Sequence, residues 1–329
     1  MIVTLAMVRV CQRDRARVDV HRASVVCVSD GDLVALGSIL PVTDVLFVLA
    51  FDHRTSLMGS FFGVEGTPTA EDEARARTAK SVIWEGLRRA VREETVARSE
   101  AAALVDTTYG ADVIDAAKEA GVRVAVPVEA SGRRELAFEF PDWRSRLQAL
   151  RPDWVKVLVR YNPEGDAELN GRQRRKLREL SQMCGDTGLE VMVELLVPPE
   201  PAQEGPAYDT EVRPGLMVRA IDELRHDEIG ADVWKIEGLE RAEDCRRVAW
   251  AAGTRCVVLG RGADRDAVDV WLRAGAGVPG FTGFAIGRSI WWEALEGFFA
   301  GGSDREAAAV AIAAEYARYA GVYRAAARP

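Results

Sequence analysis

Lysine is scarce in this sequence: five residues (80, 118, 156, 176 and 235) stand against 38 arginines in a chain of 329. Arginine therefore carries nearly all the positive surface, and a lysine inside an apolar run is not surface filler. Histidine is scarcer still, with three residues (21, 53 and 226). The five cysteines (11, 27, 184, 245 and 256) are scattered and form no C-x-x-C pair. Asp52-His53 alone is a weak ligand set, so no metal and no cofactor is expected, and the cysteines read as reduced thiols of a cytoplasmic protein. No apolar run reaches the ~18 residues needed to cross a bilayer. Arginines 9, 13, 15 and 17 interrupt any signal-peptide core. The formal net charge of -8 argues against nucleic acid or an anionic membrane as partner. A glycine fingerprint after the first strand, the mark of a dinucleotide-binding open sheet, is missing as well.

What is present is alternation. Apolar runs predict strands at Leu46–Asp52, Ala102–Asp106, Val122–Val128 and Trp154–Tyr161, then at Leu189–Val197, Asp232–Leu239, Arg255–Leu259 and Phe281–Ile286. Between them, helical patterns fall at Ala70–Ala97, Gly110–Ala120, Trp143–Leu150 and Ala167–Asp186, then at Glu211–Glu228, Arg241–Ala251 and Arg265–Arg273, with further helix after Ile290. Strict alternation of strands rich in Val, Ile and Leu with helices predicts an α/β fold, a single-domain (β/α)8 TIM barrel over residues 45–329. Residues 1–44 stand apart as an N-terminal extension, either disordered or a mis-assigned start with the protein beginning near Leu40. The one long loop, 198–215, follows the fifth strand and so belongs to the barrel mouth, where a lid would sit.

Barrel active sites form at the C-terminal ends of the strands. There the sequence places Asp52-His53-Arg54, Glu129, Lys156 with Arg160, Glu194, and Lys235 with Glu237. Gly260-Arg261-Gly262 and Gly287-Arg288-Ser289 follow the last two strands. Lys156 and Lys235 are the sharpest signal. On alternate strands they can face one another, and burial with mutual repulsion lowers a lysine pKa toward the neutral amine that attacks a ketone. Glu194 between them suits proton transfer, with Asp52 as a second base. The alternative is a set of buried ion pairs of the two lysines with Glu194, Glu237 or Asp52. Gly260, Arg261, Gly287 and Arg288 are expected to hold a phosphate on backbone amides and a helix N-terminus, the alternative being two turns with solvated arginines. Trp154, Trp234, Trp291 and Trp292 are expected near the mouth or its helices, with Trp234 turned outward from Lys235 into the barrel-to-helix core.

At these residues the sequence resembles the tagatose-bisphosphate aldolase-like class I aldolases. It is most similar to the aldolase-like domain fused behind 5-dehydro-2-deoxygluconokinase in bacterial myo-inositol catabolism. The stretches that carry the resemblance are LAFDHR (49–54), VKVLVRYNP (155–163), VMVELLVP (191–198), DVWKIEGLE (232–240), VVLGRGAD (257–264) and GFAIGRSIWWEAL (283–295). His53 stands where the tagatose enzymes usually carry Gln, and the barrel is expected to be a stand-alone version without the kinase domain. The resemblance implies Lys235 as the Schiff-base lysine, Lys156 as its electrostatic partner and Glu194 as proton shuttle. It also implies Asp52 as a contact to a substrate hydroxyl or carbonyl, and Arg288 as a phosphate ligand. Arg54 and Arg160 join the expected substrate-binding set. The expected activity is class I aldol cleavage of a phosphorylated keto sugar or keto sugar acid. The favoured substrate is 5-dehydro-2-deoxygluconate 6-phosphate, giving dihydroxyacetone phosphate and malonate semialdehyde. A ketose 1,6-bisphosphate or sulfosugar-phosphate aldolase and a non-catalytic sugar-phosphate-binding barrel are the alternatives. The expected partner is the small-molecule substrate, and a homo-oligomer is left open.

Overall fold

The computed structural model describes residues 45–328; the expected extension at 1–44 lies outside the described residues. Eight parallel strands close in sequence order into a barrel: β1 (Leu46–Ala50), β2 (Ala101–Leu104), β3 (Arg123–Pro127), β4 (Trp154–Arg160), β5 (Glu190–Leu196), β6 (Val233–Glu237), β7 (Arg255–Leu259) and β8 (Phe281–Ile286). Helices α1 (Ala70–Arg92), α2 (Ala111–Glu119), α3 (Trp143–Leu150), α4 (Ala167–Thr187), α5 (Arg213–His226), α6 (Ala242–Ala252), α7 (Arg265–Gly275) and α8 (Arg288–Phe299) follow the successive strands, and α9 (Arg305–Ala327) ends the series. The (β/α)8 barrel is thus the observed fold.

Period-two alternation sorts the core into two parts. Along β1, Leu46, Val48 and Ala50 face the barrel interior, while Phe47, Leu49 and Phe51 face the helices. The interior set continues with Ala102, Leu104, Ala125, Trp154, Met192, Val233, Val257 and Ala285. Alanines around the ring leave room for one large ring, Trp154. That residue opens β4, so it lies at the end of the barrel away from the catalytic mouth, with the guanidiniums of Arg123 and Arg255 5.1 and 6.0 Å from its ring centre. This corrects the expectation that Trp154 belongs to the mouth; position within the strand, not strand membership, decides which end a side chain serves. Trp234 faces the helices, as expected.

Several boundaries differ from the sequence reading, and three of the differences have a local cause or consequence. Helix α1 stops at Arg92, because Glu94 turns left-handed at φ 58° and the Thr95 N–H closes back on the Ala90 carbonyl at 3.1 Å. Strand β2 ends at Leu104, and Asp106 instead organises the following turn, accepting from the Thr108 and Tyr109 N–H groups at 3.0 and 2.8 Å. Helix α8 starts at Arg288 itself. Helix α9 then crosses the seam between first and last strands: the hydroxyls of Tyr316 and Tyr323 donate to the carbonyls of Phe47 (2.6 Å) and Phe281 (2.8 Å). Among the described residues, no helix is long and apolar enough to cross a membrane.

Candidate active site

The interior parity that places Trp154 in the core carries Lys156 two residues up the same strand, and likewise places Glu194 above Met192 and Lys235 above Val233. Strand register then brings Glu194 beside Lys235. Four of the expected residues meet at one point. Lys156 Nζ lies 2.9 Å from Asp52 Oδ2, 2.6 Å from Glu129 Oε1 and 2.8 Å from Glu194 Oε2. Lys235 Nζ lies 3.0 Å from the same Glu194 oxygen. All five groups are buried.

The two lysines are not equivalent. An ammonium has three N–H donors, and Lys156 faces three carboxylates with them, so its bonding capacity is filled. Burial by itself would depress its pKa, but Asp52, Glu129 and Glu194 outweigh burial and hold it well above the usual lysine value. The expectation that mutual repulsion would lower a lysine pKa is therefore reversed at Lys156. Lys235 has one carboxylate partner, shared with Lys156, and makes no other ion pair or side-chain hydrogen bond among the described residues. Burial pushes the Asp52 and Glu194 carboxyls up, but Lys156 and Lys235 more than offset this and hold both below the usual carboxylate range. Both are ionised at neutral pH.

The arginines divide in the same way. Arg288, first residue of α8, donates from Nη2 to the Arg261 carbonyl at 2.8 Å and pairs with no carboxylate among the described residues. Its neighbour Gly262 has φ 72°, a conformation that strains any residue with a side chain, and a Cβ there would sit 2.6 Å from Arg288 Cζ, so a substitution would displace the guanidinium. Gly287 is equally constrained, since its Cβ would meet the Ala50 carbonyl oxygen at 2.2 Å. It also caps α8 without a side-chain acceptor, leaving the first amides of the helix open to an anion. Gly260 packs against Ile286 in the turn after β7. Arg160 reaches the Arg133 carbonyl at 2.8 Å and also lacks a carboxylate partner among the described residues. By contrast, the charge of Arg261 is taken up by Asp209 at 3.0 Å and Glu237 at 3.4 Å. Arg54 donates to the Glu129 carbonyl at 2.7 Å and pairs with Glu139 at 3.1 Å. Both are braces between loops in this structure, not open cations.

Residues 37–327 match a family described as "Uncharacterized protein conserved in bacteria" (DUF2090). The chain belongs to that family. This DUF2090 protein is also 26% identical over 200 residues to the tagatose 1,6-diphosphate aldolases of Listeria monocytogenes serotype 4a (strain HCC23) and Listeria innocua serovar 6a (strain ATCC BAA-680 / CLIP 11262). The match takes in 59% of this chain and 55% of each relative, so the chain spans about half the length of the curated relatives it matches. Among solved structures, a Schiff-base-forming fructose-1,6-bisphosphate aldolase superposes with a TM-score of 0.56, covering 87% of this chain and 96% of that one at 13% identity. That likeness is one of fold.

Two features of the DUF2090 site escaped the sequence reading. Glu129 was noted only as a strand end, although Ala125, Pro127 and Glu129 share the interior parity that would have aimed it at Lys156. Lys80 on α1 is 1% exposed and pairs with buried Asp106 at 2.7 Å. Its Nζ also donates to the carbonyls of Phe51 and of His53 (2.8 Å), which flank Asp52. The scarcity of lysine pointed to it; its place in a helix concealed it.

Proposed function

We propose that this protein is a class I aldolase in which Lys235 forms the imine with a phosphorylated keto sugar or keto sugar acid. The observation that carries the reading is the inequality of the two buried lysines. A lysine bound by three carboxylates cannot spare a lone pair, whereas one with a single carboxylate neighbour can pass its proton to Glu194 and attack a carbonyl. Attack and loss of water give an iminium. Cleavage of the bond between the α and β carbons sends its electron pair toward the iminium nitrogen, while a carboxylate of the cluster takes the proton of the β-hydroxyl. Glu194 Oε1 and Asp52 Oδ1 make no hydrogen bond to another described residue and are available for these transfers. In this scheme Lys156 keeps the carboxylates ionised and close together.

The open arginines shape the substrate. Arg288 follows β8 and Arg160 ends β4, on opposite sides of an eight-stranded ring, which suits a substrate with an anion at each end. A 5-dehydro-2-deoxygluconate 6-phosphate has a phosphate and a carboxylate so disposed and is our favoured substrate, in keeping with the resemblance of stretches such as DVWKIEGLE; a ketose 1,6-bisphosphate is the second choice. Incubation with a panel of such compounds should release dihydroxyacetone phosphate, and prolonged chelator treatment should leave the rate unchanged, because the imine itself is the electron sink. Absence of release from every member of the panel would overturn the reading, and activity restored by zinc or manganese after chelation would overturn the imine mechanism.

Arg288→Ala should lower kcat/KM for a phosphorylated substrate by about 2–4 kcal/mol in transition-state stabilisation, the range for losing charge-assisted hydrogen bonds in a partly dry site. Arg288→Lys should recover only part, lacking the two-pronged donor. Equal losses with the unphosphorylated analogue would make Arg288 a structural residue of the loop.

A further inference from the structure

Beside the cluster, His53 is built into the mouth without a task. Its ring stands edge-on to Trp291 at 5.5 Å between centres, and its Cε1 lies 3.0 Å from where a side chain on Gly287 would begin. Trp291 is itself pinned, its indole N–H donating to the Ala50 carbonyl at 3.0 Å. The backbone on each side of Asp52 is held by Lys80, so the Asp52-His53 pair cannot drift. Within this rigid frame, His53 Nδ1 is buried and has no hydrogen-bond partner among the described residues. The nearest acceptor, Asp52 Oδ1, is 3.9 Å away, beyond hydrogen-bonding range. Asp52 has committed its other oxygen to Lys156. A buried polar atom left unpaired is costly and rare, and where one faces an open carboxylate oxygen across such a gap, a single hydroxyl group bridges both: it accepts from the imidazole N–H and donates to the carboxylate. Burial outweighs the pull of Asp52 and lowers the His53 pKa, and Lys80, Lys235 and Arg288 add to that, so the ring stays neutral and keeps one N–H donor.

We propose that His53 is a specificity-determining residue that, together with Asp52, binds the hydroxyl on the carbon next to the imine carbon of the substrate. The inference rests on the aldolase reading above and names what that site demands: an α-hydroxy ketone with a phosphate at the far side. Ketones without the hydroxyl leave Nδ1 unpaired and bind more weakly.

The matched probes are dihydroxyacetone phosphate and hydroxyacetone phosphate, which lacks only the free hydroxyl. Each is titrated against the full chain with borohydride, and the adduct on the Lys235 peptide is counted by mass spectrometry. Wild type should trap the hydroxylated probe at about tenfold lower concentration than the other. His53→Leu should remove that preference while still trapping hydroxyacetone phosphate, which shows that the variant is folded and reactive. His53→Gln, with a neutral amide donor, should restore most of the preference. An unchanged preference in His53→Leu overturns the role of His53 and leaves the aldolase reading intact. Absence of any adduct with wild type overturns both.

Discussion

Lys235→Ala is expected to reduce the rate of aldol cleavage by about four orders of magnitude or more, the usual scale for deleting a covalent nucleophile. It should also abolish the borohydride-stable adduct. Stability should change little, and the geometry says why. Removing Lys235 takes away one of two cations on Glu194, but Lys156 remains 2.8 Å from the same oxygen, so no carboxylate is left without a partner. A variant that is folded and inert is the outcome that assigns the chemistry to Lys235. An adduct that persists at undiminished yield, now on the peptide bearing Lys156, would exchange the roles of the two lysines.

Lys156→Met should behave in the opposite way, with its main effect on folding. Three buried carboxylates lose their common counter-ion, and stranding buried charge in this manner costs about 3–5 kcal/mol. Urea unfolding should show the midpoint falling with little change in slope, and adding Glu129→Gln should recover part of the loss. The pH dependence separates this cause from lost packing. In wild type, Asp52 and Glu194 titrate below their ordinary values of 3.8 and 4.5. Their stabilisation is therefore complete above those values and is lost as the pH falls through the depressed range. Without Lys156 the carboxylates crowd one another and their folded-state pKa values rise, so the folded variant binds protons more readily than the unfolded chain. Wild type loses some stability between pH 7 and about 5, because His53 stays neutral when folded but protonates once unfolded, and the deficit of the variant relative to wild type should shrink over that interval. A deficit that stays constant over that interval would mean that methionine merely packs badly.

The scarcity of lysine was enough to single out Lys156 and Lys235, and period-two alternation was enough to aim them, with Glu194, at one interior level. Glu129 was within reach by the same parity count along β3. What no spacing rule could supply is which oxygen each cation reaches. Arg54, Arg261 and Arg288 look alike as arginines at strand ends, yet Arg54 and Arg261 are neutralised by Glu139, Asp209 and Glu237, acids that lie far from them in sequence, and Arg288 is not. The direction of the Lys156 pKa shift was hidden for the same reason: it is set by three carboxylates from three other strand ends, whose convergence is a property of barrel closure. The end of α1 depended on a left-handed Glu94, a conformation that its residue type does not announce.

The seam between β1 and β8 bears on how the chain is made. Phe47, near the beginning of the barrel, takes its hydrogen bond from Tyr316, 269 residues later. On a ribosome, β1 emerges with one edge that cannot be paired until nearly the whole barrel has been synthesised, and the helix that covers the seam emerges after every strand. Closing so long a loop makes ring closure late and slow. Nascent chains stalled before α9 should accordingly display an unpaired strand edge and an uncovered aromatic surface, the features that chaperones bind and that self-associate when left unattended. The catalytic cluster draws Asp52 from the end of β1 and its other members from β3 to β6, so its geometry is fixed only once the ring has closed.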